Sequence, residues 1–135
     1  LIYNWTEYLR TEFPTEIFFS NQRHQIGGAS IPDKCVLSKE YGGIKEPWIG
    51  TLQKAIQVTV RDFEIPSARE LAFSIYNEMH DKYGLVLPAS TVDGIVYLQL
   101  HTAEIKANQE PFCIGADSEG RTEFTINFTI YFRSD

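Results

Sequence analysis

From Arg121 to Arg133 the chain reads Arg-Thr-Glu-Phe-Thr-Ile-Asn-Phe-Thr-Ile-Tyr-Phe-Arg. Phe124, Ile126, Phe128, Ile130 and Phe132 occupy one set of alternate positions, and Glu123, Thr125, Asn127, Thr129 and Tyr131 the other. Successive side chains of a strand point to opposite faces, so this alternation marks a strand with one apolar and one polar side. A helix would spread the same apolar residues around its whole circumference, and Thr, Ile and Phe favour strands. At ~3.3 Å per residue the run from Thr122 to Phe132 spans roughly 35 Å. That is about twice the usual strand length, and a strand this long tends to sit centrally, to bend, or to reach past its own domain.

The elements that accompany it can be read in order. Leu1, Ile2, Trp5, Tyr8, Leu9 and Phe13 recur at helical spacing, and Pro14 ends the run, which predicts a short amphipathic helix. A short strand follows over Glu16–Ser20, then a polar stretch with Gly27-Gly28 and Pro32, and a second short strand over Cys35–Ser38. The stretch from Lys39 to Thr51 holds Gly42, Gly43, Pro47 and Gly50 around Trp48 and reads as a long irregular connection. Residues 21–51 are therefore expected to be largely irregular. Leu52–Arg61 alternates again, with Ile56, Val58 and Val60 on one side and Gln57, Thr59 and Arg61 on the other.

Ser67 and Glu70 have the spacing of a capping box. Ala68, Leu71, Ala72, Ile75, Tyr76, Met79 and Tyr83 then form one continuous helical stripe, and Gly84 stands where a left-handed cap would close it. This helix should lie across a sheet. Ile95–His101 is expected as one strand, with Val96, Leu98 and Leu100 on one side and Tyr97, Gln99 and His101 on the other. Glu104–Asn108 is a weaker extension and Pro111–Gly115 a short strand. Asp117-Ser118-Glu119-Gly120 is a hairpin turn leading into the last strand. The order points to a single α+β domain over residues 1–135, a mostly antiparallel twisted sheet with two helices packed on one face.

At 135 residues the chain is long enough for one core. Its net charge of −6 and lack of a Lys/Arg cluster argue against a nucleic-acid grip. No apolar run approaches the length of a membrane span, and nothing resembles a signal peptide. Cys35 and Cys113 lie far apart without a paired spacing, which reads as two reduced structural thiols.

Catalytic motifs are missing from the sequence: no GxSxG elbow, phosphate loop, dinucleotide fingerprint or HExxH occurs. His24, His80 and His101 are scattered, and His101 has only Glu104 nearby as a second ligand. No metal site or cofactor is expected. Asp62 and Glu64 read as solvated charges before the helix. Trp48 reads either as a loop anchor or as an aromatic contact for a partner.

The polar sides of the three long strands carry more information. They present Gln57 and Thr59, Tyr97 and Gln99, and Thr125, Asn127, Thr129 and Tyr131, with charges only near the strand ends. An exposed sheet face usually takes Lys, Glu or Arg. Charge is depleted where proteins meet, so these residues, together with Trp48, form a candidate surface for self-association or partner contact.

Three stretches taken together resemble a known family. They are Lys-Ala-Ile-Gln-Val-Thr-Val-Arg (54–61), Pro-Ser-Ala-Arg-Glu-Leu-Ala-Phe-Ser-Ile-Tyr (66–76), and the closing hairpin from Ile114 to Arg133 with its acidic-Gly-Arg turn. Behind an amphipathic N-terminal helix, this order resembles the minor capsid and tail terminator (tail completion) proteins of long-tailed bacteriophages. The resemblance covers nearly the whole chain and is weakest between Asn21 and Thr51. It implies a non-enzymatic virion protein, made in the host cytoplasm. Such a protein would form a ring, typically a hexamer, that caps the tail tube and joins it to the head connector or head-closure protein. It implies no cofactor, no specific nucleic-acid binding and no membrane contact. A small ligand-binding or enzymatic domain with a pocket near Trp48, Tyr97 and His101 is the alternative from another class. A head-closure or tail-tube protein is the alternative within the virion.

Overall fold

The computed structural model describes residues 1–46 and 51–133. The long C-terminal strand, β11 (Thr122–Arg133), is central. Along one edge it pairs antiparallel with β3 (Thr51–Asp62) over its whole length, from Thr122 opposite Asp62 to Arg133 opposite Thr51. Along its other edge two short strands divide the work. β10 (Phe112–Ala116) pairs with Thr122–Thr125, and β9 (Glu104–Ala107) with Phe128–Tyr131. Beyond β3 lie β2 (Cys35–Glu46), antiparallel, and β1 (Phe18–Ser20), which joins parallel to β2. β4 (Lys82–Tyr83) closes the far side against β9. The architecture is α+β, and the parallel outer strand keeps the sheet from being purely antiparallel.

Register fixes the two faces, because residues directly opposite in an antiparallel pair point the same way. Val60 lies opposite Phe124, Val58 opposite Ile126, and Ile56 opposite Phe128. This apolar face is covered by both helices, α1 (Ile2–Glu12) and α2 (Ile65–Met79). α1 contributes Ile2, Trp5 and Leu9, and α2 contributes Ala68, Leu71, Ala72, Ile75 and Met79, all buried. The 3.6-residue period of each stripe is what turns these side chains toward the strands. Trp5 meets the Phe128 ring at 5.1 Å and donates its indole N–H to Ser38 Oγ at 3.2 Å.

The helices are tied to each other by the Tyr8 hydroxyl, which donates to Glu78 Oε1 at 2.7 Å. Burial pushes the Tyr8 phenol well above its ordinary range, and the bond to Glu78 and that carboxylate's charge add to the shift. The unfolded phenol, at about 10, releases its proton first. The contribution of this group is therefore complete below about pH 10 and is lost as the pH rises toward the folded value. The difference in urea midpoint between the native chain and Tyr8→Phe should shrink as the pH is raised from 8 to 11, since only the native chain loses this contribution. A constant difference would show that the bond carries no such linkage.

Several local expectations are corrected. The stretch from Lys39 onward is not irregular: β2 continues to Glu46 and pairs with β3, and Gly42-Gly43 is absorbed as a register shift between Tyr41 and Ile44. A bulge of this kind needs residues without side-chain demands, which is why the glycines looked like a loop. Irregularity within 21–51 is thus confined to residues 21–34 among those described. The Ser67/Glu70 capping box does not form. α2 begins earlier, at Ile65, with Glu64 as its cap residue, Pro66 in its first turn, and the Glu64 N–H donating to Asp62 Oδ1 at 3.3 Å. Proline's missing N–H makes the first turn its natural place, so the helix starts three residues ahead of the box. Gly84 is not the helix cap either. The helix stops at Met79, Asp81 takes the left-handed conformation at φ 57°, and Lys82–Tyr83 already pairs as β4.

The largest correction concerns Ile95–His101. It is not one strand of the main sheet. Residues 85–101 form an arm folded back on itself, with β5 (Val86–Leu87) against β8 (Leu100–His101) and β6 (Ser90–Val92) against β7 (Ile95–Tyr97). Asp93 and Gly94 turn its tip, both at positive φ. The arm lies on α1. The buried Asn4 amide donates to the carbonyls of Pro88, Tyr97 and Leu98 at 2.9, 3.3 and 2.9 Å, and the rings of Tyr3 and Tyr97 meet at 4.8 Å. Alternation in this stretch is genuine, but the arm rests on a helix and not between strands, so its apolar side is turned the other way.

Candidate contact face of the sheet

The face away from the helices is built from the polar partners in the same register. Thr59 lies opposite Thr125, Gln57 opposite Asn127, Ala55 opposite Thr129, and Gln53 opposite Tyr131. Neighbouring strands extend each row: β2 adds Leu37, Lys39 and Tyr41, and β9 adds Lys106 and Glu104.

These side chains bond chiefly to one another. The Tyr41 hydroxyl donates to Gln57 Oε1 at 3.1 Å, and Gln57 Nε2 donates to Asn127 Oδ1 at 3.1 Å. The Thr59 and Thr125 hydroxyls stand 3.4 Å apart, and Thr129 donates to Asn108 Oδ1 at 2.9 Å. Polar groups that already hold partners lose less on leaving water than free ones. The centre of the face is therefore uncharged and internally bonded, while Lys39 and Lys106, both exposed, flank it on the outer strands.

One end of this face is covered. Residues 21–34 run across it as a strap, latched at three points. Arg61, 6% exposed, donates to the Pro32 carbonyl at 2.7 Å. Arg121 meets Asp33 at 3.2 Å, and Arg23 approaches Glu123 at 3.8 Å. Beneath the strap Phe19, Cys35 and Leu37 form a small second core with Ile17 and Ile31. The closing turn is held by Asp117. Some desolvation pushes its carboxyl up, but the bonds from the Arg121 backbone and guanidinium and from the Glu119 N–H prevail and hold it below the usual carboxylate range.

Of the residues expected on this surface, the structure brings together Gln57, Thr59, Asn127, Thr129 and Tyr131, whereas Thr125, in the same row, is buried at 2% exposure and offers nothing to a partner. Tyr97 and Gln99 are not among them, because they belong to the arm on the opposite, helical side of the sheet. Trp48 lies outside the described residues. The expectation that charge appears only at strand ends also needs amending, since Lys39 and Lys106 enter from strands whose register could not be assigned from sequence.

His80 is not a plain surface residue. Its Nδ1 accepts the Ala107 N–H at 2.9 Å and its ring stacks on Tyr76 at 4.9 Å, joining α2 to β9. His101 is exposed on β8. Open clefts indent the described surface. One lies between Phe13 and α2, one beside Phe18 and His24, and one between Tyr3 and the arm tip at Asp93. Tyr97 and His101 border none of these three. Among the described residues no group of three or more His, Cys, Asp and Glu side chains is placed to hold a metal ion. No helix among them is long and apolar enough to cross a membrane.

Sequence reasoning passed over two exposed apolar surfaces. Val96 and Leu98, which share the apolar side of the expected strand with Leu100, are 60% and 75% exposed, and Ile95 is exposed as well. On β10 every residue is exposed, Phe112 and Ile114 included. A signal for both was present: Leu85–Leu100 contains one charged residue, Asp93, and Pro111–Ala116 contains none. No protein-family model matches this chain, and no curated protein matches it.

Proposed function

We propose that this chain is a structural assembly protein of a long-tailed bacteriophage virion, a tail terminator or tail completion protein. In this reading it acts by association and not by catalysis. Copies form a ring, with a hexamer as the expected size, that caps the tail tube and meets the head connector. Its place is the head–tail interface of the virion, after assembly in the host cytoplasm.

The observation that carries the reading is the face built on β3 and β11. Its uncharged centre of Gln57, Thr59, Asn127 and Thr129 is internally bonded and rimmed by Lys39 and Lys106. An interior depleted of charge within a charged rim is the layout of a protein interface. A face meant only for water gains nothing from excluding Lys and Glu at its centre. The resemblance of the 54–61, 66–76 and 114–133 stretches to tail terminator proteins supplies the biological setting.

Electron microscopy of the purified protein tests this. Single closed rings of uniform diameter are the expected result. Long tubes would reassign the chain to a tail-tube role. A concentration-independent monomer that retains a bound small molecule would point to a ligand-binding or enzymatic domain.

A further inference from the structure

The strap, residues 21–34, joins two strands that already pair with each other. β1 lies parallel to β2, with Phe18 opposite Val36 and Ser20 opposite Ser38, so both ends of the strap are fixed on the sheet while its middle is not part of it. Its first residue, Asn21, is well held: the N–H donates to the Ser38 carbonyl at 2.7 Å, and the side chain accepts the Glu40 N–H at 3.2 Å. Beyond Asn21 the strap's N–H groups make two backbone bonds among the described residues, both short-range, from Gln22 to Ser20 and from Ala29 to Ile26. Gln22 and residues 24–30 are exposed. What holds the strap down is the set of three arginine latches and the seating of Ile31 on Phe19, Cys35 and Leu37.

Those latches are incomplete. Arg61 donates through Nη2 to Pro32, but its Nε is buried without an acceptor among the described residues. Arg23 Nε and Nη2 are buried in the same condition. Nη2 stands 3.8 Å from the Glu123 carboxylate, near enough to pair charge and too far for a hydrogen bond. Buried donors without acceptors oppose the closed state, the more so when charged, and lifting the strap returns them to water. The other two contacts, Arg121 with Asp33 and Arg23 with Glu123, are ion pairs, which salt weakens. A segment with few apolar contacts and no backbone ladder opens at less than the free energy of global unfolding.

We propose that residues 21–34 are a salt-sensitive gate over one end of the sheet face. They lift between Asn21 and Lys34 while β1, β2 and the helix-covered core stay folded. Lifting uncovers Phe19, Cys35 and Leu37 beside the polar centre, so the closed strap limits how far along the face a contact reaches. The gate belongs to the fold and stands whether or not copies of the chain assemble.

Cys35 reports the opening. It is 1% exposed beneath the strap, whereas Cys113 is exposed, so C113S leaves a single, covered thiol. Labelling of this full-length chain by N-ethylmaleimide, an uncharged reagent, is followed by mass, and each rate is divided by that of the same chain unfolded in urea. Cys35 should react in the folded chain, and faster as sodium chloride is raised. D33A, which removes the Arg121 latch at an exposed position, should speed labelling by up to about fivefold and reduce its response to salt. I75V, which loosens the core on the helical side of the sheet, should leave the rate unchanged. Protection of Cys35 until the chain unfolds would overturn the gate. A rate that I75V raises in step with its lost stability would overturn it too, because labelling would then follow global unfolding. A rate indifferent to both D33A and salt would show that the latches do not hold the strap.

Discussion

Trp5→Ala is expected to lower the unfolding free energy by about 3–5 kcal/mol, the range for emptying a large aromatic site in a core. Trp5 is fully buried, and it is the side chain through which the first helix grips the central strand. Its loss removes the contact with Phe128 and leaves Ser38 Oγ without its indole donor. It also undermines the arm, because the neighbouring residue, Asn4, holds the Pro88, Tyr97 and Leu98 carbonyls. Against a typical domain stability of about 5–15 kcal/mol, this substitution removes a large fraction of the total. Urea denaturation followed by circular dichroism measures it. Ser38→Ala separates the polar part: it keeps the packing and leaves the indole N–H unpaired, at about 1–3 kcal/mol. A Trp5→Ala cost below 1 kcal/mol would mean that α1 is not seated on the sheet as described.

Ile75→Ala should cost about 2–5 kcal/mol by the same cavity argument. Ile75 is fully buried at the middle of the α2 stripe, above β3 and β11. Its neighbours Leu71, Ala72 and Met79 come from the same rigid helix, so the site cannot readily collapse. Ile75→Val is the control, expected at about 0.5–1.5 kcal/mol. Equal costs for the two would indicate a loosely packed helix–sheet layer.

Much of this layer could be read from residue order. The alternation in β11 and β3 set both faces, and the stripes of α1 and α2 set which side of each helix is buried. These signals are strong because one periodicity persists over many residues. What could not be read were pairings between distant segments. The Gly42-Gly43 bulge resembles a loop until β3 is placed beside it. The arm's alternation resembles a sheet strand until Asn4 shows that it lies on a helix. Tyr97 and Gln99 were drawn to the polar face by that same alternation, and Lys39 and Lys106 were missed because short strands carry no register of their own. The strap was hidden for a related reason. Its latches join Arg23 to Glu123 and Asp33 to Arg121 across most of the chain length, and no local pattern encodes such contacts.

In the function proposed above, this protein works by self-assembly and contact through its sheet. The most direct measurement is the solution mass of the native chain and of Thr129→Lys by light scattering over a wide concentration range. Thr129 stands on the polar face beside Lys106, so a second lysine there places charge on the surface at a folding cost of about 1 kcal/mol or less. The native chain should show a discrete oligomer with the mass of a closed ring. The variant, still folded by circular dichroism, should fail to form that ring. A native chain that remains monomeric at every concentration would contradict the account.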